Sequence, residues 1–131
     1  MSVTYVESSA LAKLVVVEVG SGALRGHLRG RSLVTSALTR LEVARAVRRA
    51  GVPAVPTLEE VLRTVTVIAI HDEVLRRAGQ LDPPALRSLD AIHLATALLW
   101  REHEIAGLIM ATHDEALARA ARASGMPVVG T

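Results

Sequence analysis

A chain of 131 residues, 50% hydrophobic and 21% charged, carries enough apolar material for one compact domain core and gives no compositional sign of a second domain. With no cysteine it excludes a disulfide framework and a thiolate zinc site, so any metal must be held by carboxylates or by the five histidines. The pI of 9.9 sits beside a net charge of only +2, because all but one of the 15 basic residues are arginine and little titrates between histidine and arginine.

In chain order, "VTYV" (Val3 to Val6) reads as a strand and the stretch from about Ser8 to Val17 as a helix. "GSG" and a short helix from about Ala23 to Arg29 follow. "SLVTS" predicts a second strand, and "ALTRLEVARAVRRAG" a strong helix with Leu38, Leu41, Ala44 and Val47 on one stripe and Gly51 as its stop. "VPAVP" breaks the chain. A helix near Thr57 to Arg63 leads into "TVTVIAI", the clearest β-branched run, and "HDEVLRRAGQL" is helical up to Pro83-Pro84. "SLDAIHLATALLWREHE" is the longest helical stretch, followed by a strand in "GLIMAT", a helix in "DEALARAARASG" and a last short strand in "PVVG".

Strands alternating with helices, without hairpin signals, predict an α/β fold with a central parallel sheet covered on both faces, a three-layer α/β/α sandwich over residues 1–131. Ligands of such sheets bind beyond the carboxyl ends of the strands. Glu7 falls at one such end and Asp114 just after another. Glu42 joins the edge of a helix's apolar stripe, and Asp90 begins the long helix on a face that continues through Leu94 and Ala97.

Each acid also has an ordinary structural explanation. Glu7 suits a helix dipole, Glu42 a surface pair with Arg40 or Arg45, and Asp90 a helix start capped by Ser88. "THDE" reads as a capping box with Thr112 as cap, which leaves Asp114 facing the dipole. Together they are harder to dismiss, because four like charges at one rim are costly without a cation between them. An all-carboxylate nest suits Mg²⁺ or Mn²⁺ and metal-assisted phosphodiester hydrolysis.

"TYVESSALAKL", "TSALTRLEVARAVRR", "LRSLDAIHLATAL" and "LIMATHDEALARAARASGMPVV", in this order and over nearly the whole chain, resemble the PIN-domain ribonucleases, in particular VapC-type toxins of bacterial toxin–antitoxin modules. The resemblance implies a metal-dependent endoribonuclease acting on RNA, commonly a homodimer, silenced by a cognate VapB-type antitoxin. It also implies that Glu7, Glu42, Asp90 and Asp114 hold the metal and that Ser9 positions a water or the scissile phosphate. One position departs from the family pattern: Glu7 stands where aspartate is usual. That departure motivates the rival expectation, a catalytically impaired PIN module that binds RNA or a protein. His93 and His113 are expected behind the ligands or at the surface. The apolar run Leu14 to Val17 is expected to be covered by the arm Val19 to Arg31 or by an antitoxin segment, and Trp100 to anchor a dimer or a satellite of the core. No apolar run approaches the roughly 18 residues that span a bilayer, and no signal peptide is evident, so a cytoplasmic protein with no membrane contact is expected.

Overall fold

The computed structural model describes residues 3–16, 19–54, 57–105 and 107–131. Its strands are β1 (Val3–Val6), β2 (Ser32–Ser36), β3 (Thr66–Ile68), β4 (Leu108–Ala111) and β5 (Val128–Val129). Its helices are α1 (Ser8–Val15), α2 (Ser21–Leu28), α3 (Ala37–Ala50), α4 (Leu58–Leu62), α5 (Asp72–Ala78), α6 (Ser88–Arg101) and α7 (Glu115–Ala123).

All strand pairings are parallel and the order is β3-β2-β1-β4-β5. The chain therefore builds outward from β1 to β2 and β3, then returns to add β4 and β5 on the other side. This places the switch point of the sheet between β1 and β4, the crevice in which ligands of such folds bind. β1 is buried along its whole length, as a central parallel strand must be, and its β-branched residues suit that position. On one face Val3, Tyr5, Val34, Leu108 and Met110 pack against Leu94, Leu98 and Leu117 of α6 and α7. On the other, Val6 and Ala111 pack against α1, α2, α3 and α4 through Leu11, Val15, Leu28, Val43 and Leu62. The expected α/β/α sandwich is the observed architecture.

Several expectations need correction. The run Thr64 to Ile70 supplies only three strand residues, Thr66–Ile68, because β3 is an edge strand whose side chains are half exposed. Leu41 does not lie on the buried stripe of α3: it is 61% exposed, and Leu38, Thr39 and Val43 face inward instead. α1 ends at Val15, so the expected apolar run is buried only at Leu14 and Val15, against Leu24 and Leu28 of α2; Val17 lies outside the described residues. Trp100 is a half-buried satellite of the core. α6 stops at Arg101, before "EHE".

Caps fix where the site-bearing helices begin. Ser36 accepts a hydrogen bond from Leu38 N at 3.1 Å to start α3, and Gly51 ends it in the left-handed conformation at φ 66°. Glu7 itself is the N-cap of α1, and Asp114 that of α7. Thr112 is thus not the cap predicted by the capping-box pattern. Nor does Ser88 cap α6, since Arg87 occupies the N-cap position without a side-chain bond.

Candidate functional site

Two strands of the sheet deliver the first pair of acids. β1 ends at Val6, so Glu7 emerges at its carboxyl edge, and the bond from Glu7 N to Ala111 O at 3.0 Å carries the β1–β4 pairing one residue further. β4 ends at Ala111, and two residues bring the chain to Asp114. The helices contribute the rest, Glu42 from the second turn of α3 and Asp90 from the first turn of α6. A cavity of about 310 Å³ is lined by Glu7, Glu42, Asp90 and Asp114 together with Arg87, Ser88 and Leu89. The four acids singled out in the sequence therefore meet at one place.

Each acid is held differently. Glu7 is buried, and three donors grip it: Ser9 N reaches Oε2 at 3.1 Å, while the hydroxyls of Ser9 and Thr112 each reach Oε1 at 2.6 Å. Hydrogen bonds to a carboxylate are the stronger kind, so this side chain has little freedom to turn. Glu42 Oε1 accepts from Ser8 Oγ at 2.6 Å and stands 2.6 Å from His93 Nε2. Burial raises its carboxyl pKa, but the hydrogen bonds of His93 and Ser8 and the electrostatic pull of His93 outweigh that and bring it below its ordinary value. These partners replace the arginine pair expected for Glu42. Asp114 Oδ1 accepts from Leu117 N at 2.9 Å, which fixes one oxygen as the cap of α7.

Among the described residues Asp90 has no such support. Burial, then the charges of Asp114 and Glu7, push its carboxyl above the ordinary range, with His93 and Arg87 only partly offsetting them. A cavity walled by four carboxylates and, among the described residues, by the single cation Arg87 is thus short of positive charge. Hard oxygen donors with a deficit of positive charge fit a divalent cation such as Mg²⁺ or Mn²⁺, and the donor set contains no soft ligand.

Behind the cavity lie the residues that hold the acids in place. Thr112 is fully buried, and its hydroxyl both donates to Glu7 and accepts from Asp114 N at 3.0 Å, so one side chain ties two of the acids together. Ser9 does not line the cavity: its hydroxyl donates to Glu7 and accepts from His113 N at 2.8 Å. The imidazole of His113 turns away to Gly130 O. His93 is 1% exposed, which rules out the surface placement; it lies behind Glu42, with Nδ1 2.6 Å from the Tyr5 hydroxyl. Burial, and after it the charge of Glu7, push the Tyr5 phenol well above its ordinary range, so it remains protonated. The signals in the sequence were the place of His93 beside the proposed ligand Asp90 and apolar context, with Tyr5 inside a buried strand and His93 between Ile92 and Leu94.

Comparison with known proteins adds independent information. The family model described as PIN domain matches residues 4–123. The chain is 41% identical over 133 residues to "Ribonuclease VapC35" of Mycobacterium tuberculosis, covering 95% of this chain and 94% of that one. It is 40% identical over 130 residues to "Ribonuclease VapC46" of the same organism, covering 98% of each. A solved structure titled "Toxin-antitoxin complex from Klebsiella pneumoniae" superposes with a TM-score of 0.66 over 97% of this chain and 96% of that one, at 22% identity, a likeness of fold.

Proposed function

Because the chain belongs to the PIN-domain family, we propose that it is an endoribonuclease toxin of a toxin–antitoxin module, hydrolysing RNA phosphodiester bonds with a divalent cation held by Glu7, Glu42, Asp90 and Asp114. The observation that carries this reading is the convergence of four carboxylates from four elements on one cavity at the carboxyl edge of the sheet. The proposed ion is Mg²⁺ or Mn²⁺. When bound, it supplies charge to polarise the phosphodiester and lower the pKa of an attacking water.

The residues of the chain provide the frame. Glu7, fixed by three donors, presents a carboxylate of set orientation, and Asp114 is anchored by its own capping bond. Ser9, proposed to position water or substrate, acts through its hold on Glu7. Arg87 at the cavity wall supplies a contact for the phosphate backbone. With aromatic residues only 2% of the chain, stacking contributes little and the RNA is gripped by phosphates and shape. The reading of a catalytically impaired module is not favoured: Glu7 lies in the cavity with the other acids, and close relatives carry the name ribonuclease.

The partners follow the same reading. A groove of about 480 Å³ between α1, α2 and α4, lined by Leu14, Leu28, Val61, Arg25, Arg29 and Glu60, suits an amphipathic segment of a cognate VapB-type antitoxin. Exposed leucines on three helices, Leu41, Leu75 and Leu89, suit a homodimer contact. No described helix is long and apolar enough to cross a membrane, and the proposed location is the cytoplasm. The whole of residues 1–131 is taken as one domain.

Purified protein free of antitoxin, incubated with cellular RNAs in Mg²⁺, Mn²⁺ or EDTA beside Asp90→Asn, tests the proposal. Discrete products that require the cation and vanish with Asp90→Asn are expected. Cleavage that persists in EDTA, or equal cleavage by Asp90→Asn, would overturn it.

A further inference from the structure

Ligand atoms of Glu7, Glu42 and His93 all lie within 4.8 Å of one another, so distance alone would allow the imidazole to be a third ligand beside two carboxylates. The hydrogen-bond network argues otherwise. We infer that His93 is a positioning residue, a hydrogen-bond donor whose tautomer Tyr5 fixes and which aims Glu42 into the cavity, and that it is not itself a metal ligand.

The argument turns on where one hydrogen sits. His93 Nε2 and Glu42 Oε1 are 2.6 Å apart, too close for two lone pairs without a hydrogen between them. A carboxylate has none to give, so the hydrogen belongs to Nε2. The other ring nitrogen is consistent with this. Nδ1 stands 2.6 Å from the Tyr5 hydroxyl, again too close for two lone pairs without a hydrogen between them. A phenol carries its hydrogen at neutral pH and here turns it to Nδ1. The imidazole then accepts at Nδ1 and donates at Nε2, and neither nitrogen offers a free lone pair to a cation. Ser8, 3.2 Å from Nε2, gives its hydrogen to Glu42 Oε1 at 2.6 Å and reinforces the same orientation.

Packing prevents an exchange of roles. The ring is 1% exposed and meets the fully buried Tyr5 ring edge to face, with centroids 5.9 Å apart and planes at 73°. A flip would place carbon atoms where both bonds are now made. The relay Tyr5–His93–Glu42 therefore runs from β1 through α6 to α3, and it couples the aim of one acid to the core of the sheet. Partners of this kind are worth roughly 10–100-fold in metal affinity where they orient a ligand.

The inference rests on the proposed reading of Glu42 as a metal ligand, and the test separates the two. Mn²⁺ titrations followed by electron spin resonance would be made on the full chain and on Tyr5→Phe, His93→Leu, His93→Gln and Glu42→Gln, with thermal melts checking the fold. Tyr5→Phe and His93→Leu should weaken Mn²⁺ by an amount within that roughly 10–100-fold range. His93→Gln, which keeps a donor of similar reach, should stay closer to the parent than His93→Leu. The bound Mn²⁺ of the parent should show no nitrogen coupling. Folded Tyr5→Phe with unchanged affinity, or a nitrogen-coupled Mn²⁺ in the parent, would overturn the inference. Unchanged affinity in Glu42→Gln would instead refute the ligand reading beneath it.

Discussion

Replacing Thr112 by valine isolates the hydroxyl that joins Glu7 to Asp114. The change is nearly isosteric and the site is fully buried, so packing should survive while two hydrogen bonds are lost. One is a donation to a carboxylate, worth roughly 1.5–3 kcal/mol, and the other an amide bond of about 1 kcal/mol whose loss leaves Asp114 N without its partner. Together they cost roughly 2–4 kcal/mol, which for a chain of this size lowers Tm by on the order of 10 °C. Two acids lose their support at once, so Mn²⁺ affinity should fall by roughly 10–100-fold. Thr112→Ser keeps the hydroxyl and should recover most of both effects. The assay is a thermal melt with and without Mn²⁺ on the three proteins. A Thr112→Val protein that melts and binds like the parent would refute the reasoning, as would a Thr112→Ser protein as damaged as the valine form.

Asp90→Asn should abolish metal-dependent cleavage, by about 100-fold or more, yet raise Tm in EDTA, because it removes a charge that burial, Asp114 and Glu7 disfavour. The folded chain binds that proton more tightly than the unfolded one, so stability falls as pH rises from 3.8 through the raised folded value; melts in EDTA across that range should show the fall in the parent and a smaller one in Asp90→Asn. Glu42 works in the opposite sense. Its lowered carboxyl contributes stability that is present above 4.5 and lost as pH falls through the folded value, and acid melts of Glu42→Gln should lack that loss. Gly130→Ala should destabilise by about 1–3 kcal/mol in denaturant titration, since Gly130 has φ 99° and an added Cβ would lie 2.6 Å from Thr112 O.

The strands and helices were legible because their signals are local. Val3 to Val6 and Leu108 to Ala111 are short apolar runs, and α3 declares itself by period and by Gly51. Glu7 and Asp114 could be found as acids at strand ends, and Glu42 and Asp90 as acids on apolar helix faces. What lay out of reach was the support behind them. Thr112 and Glu7 are 105 residues apart, and Tyr5 and His93 are 88 apart, so no spacing rule connects them. Thr112 was misread because a hydroxyl three residues before a glutamate matches a capping box, whereas Asp114 takes the cap and frees Thr112 to bind Glu7. Leu41 was misassigned because the inward face of α3 includes Thr39, a polar residue that an apolar period passes over, beside Leu38 and Val43.

The claim on which the rest depends is that four carboxylates form one cation site. Isothermal titration of Mn²⁺ into the parent and into Glu7→Gln, Glu42→Gln, Asp90→Asn and Asp114→Asn tests it directly. Saturable binding by the parent, weakened roughly tenfold or more in each variant, is the predicted result. A parent that takes up no Mn²⁺, or four variants that bind as it does, would contradict the account.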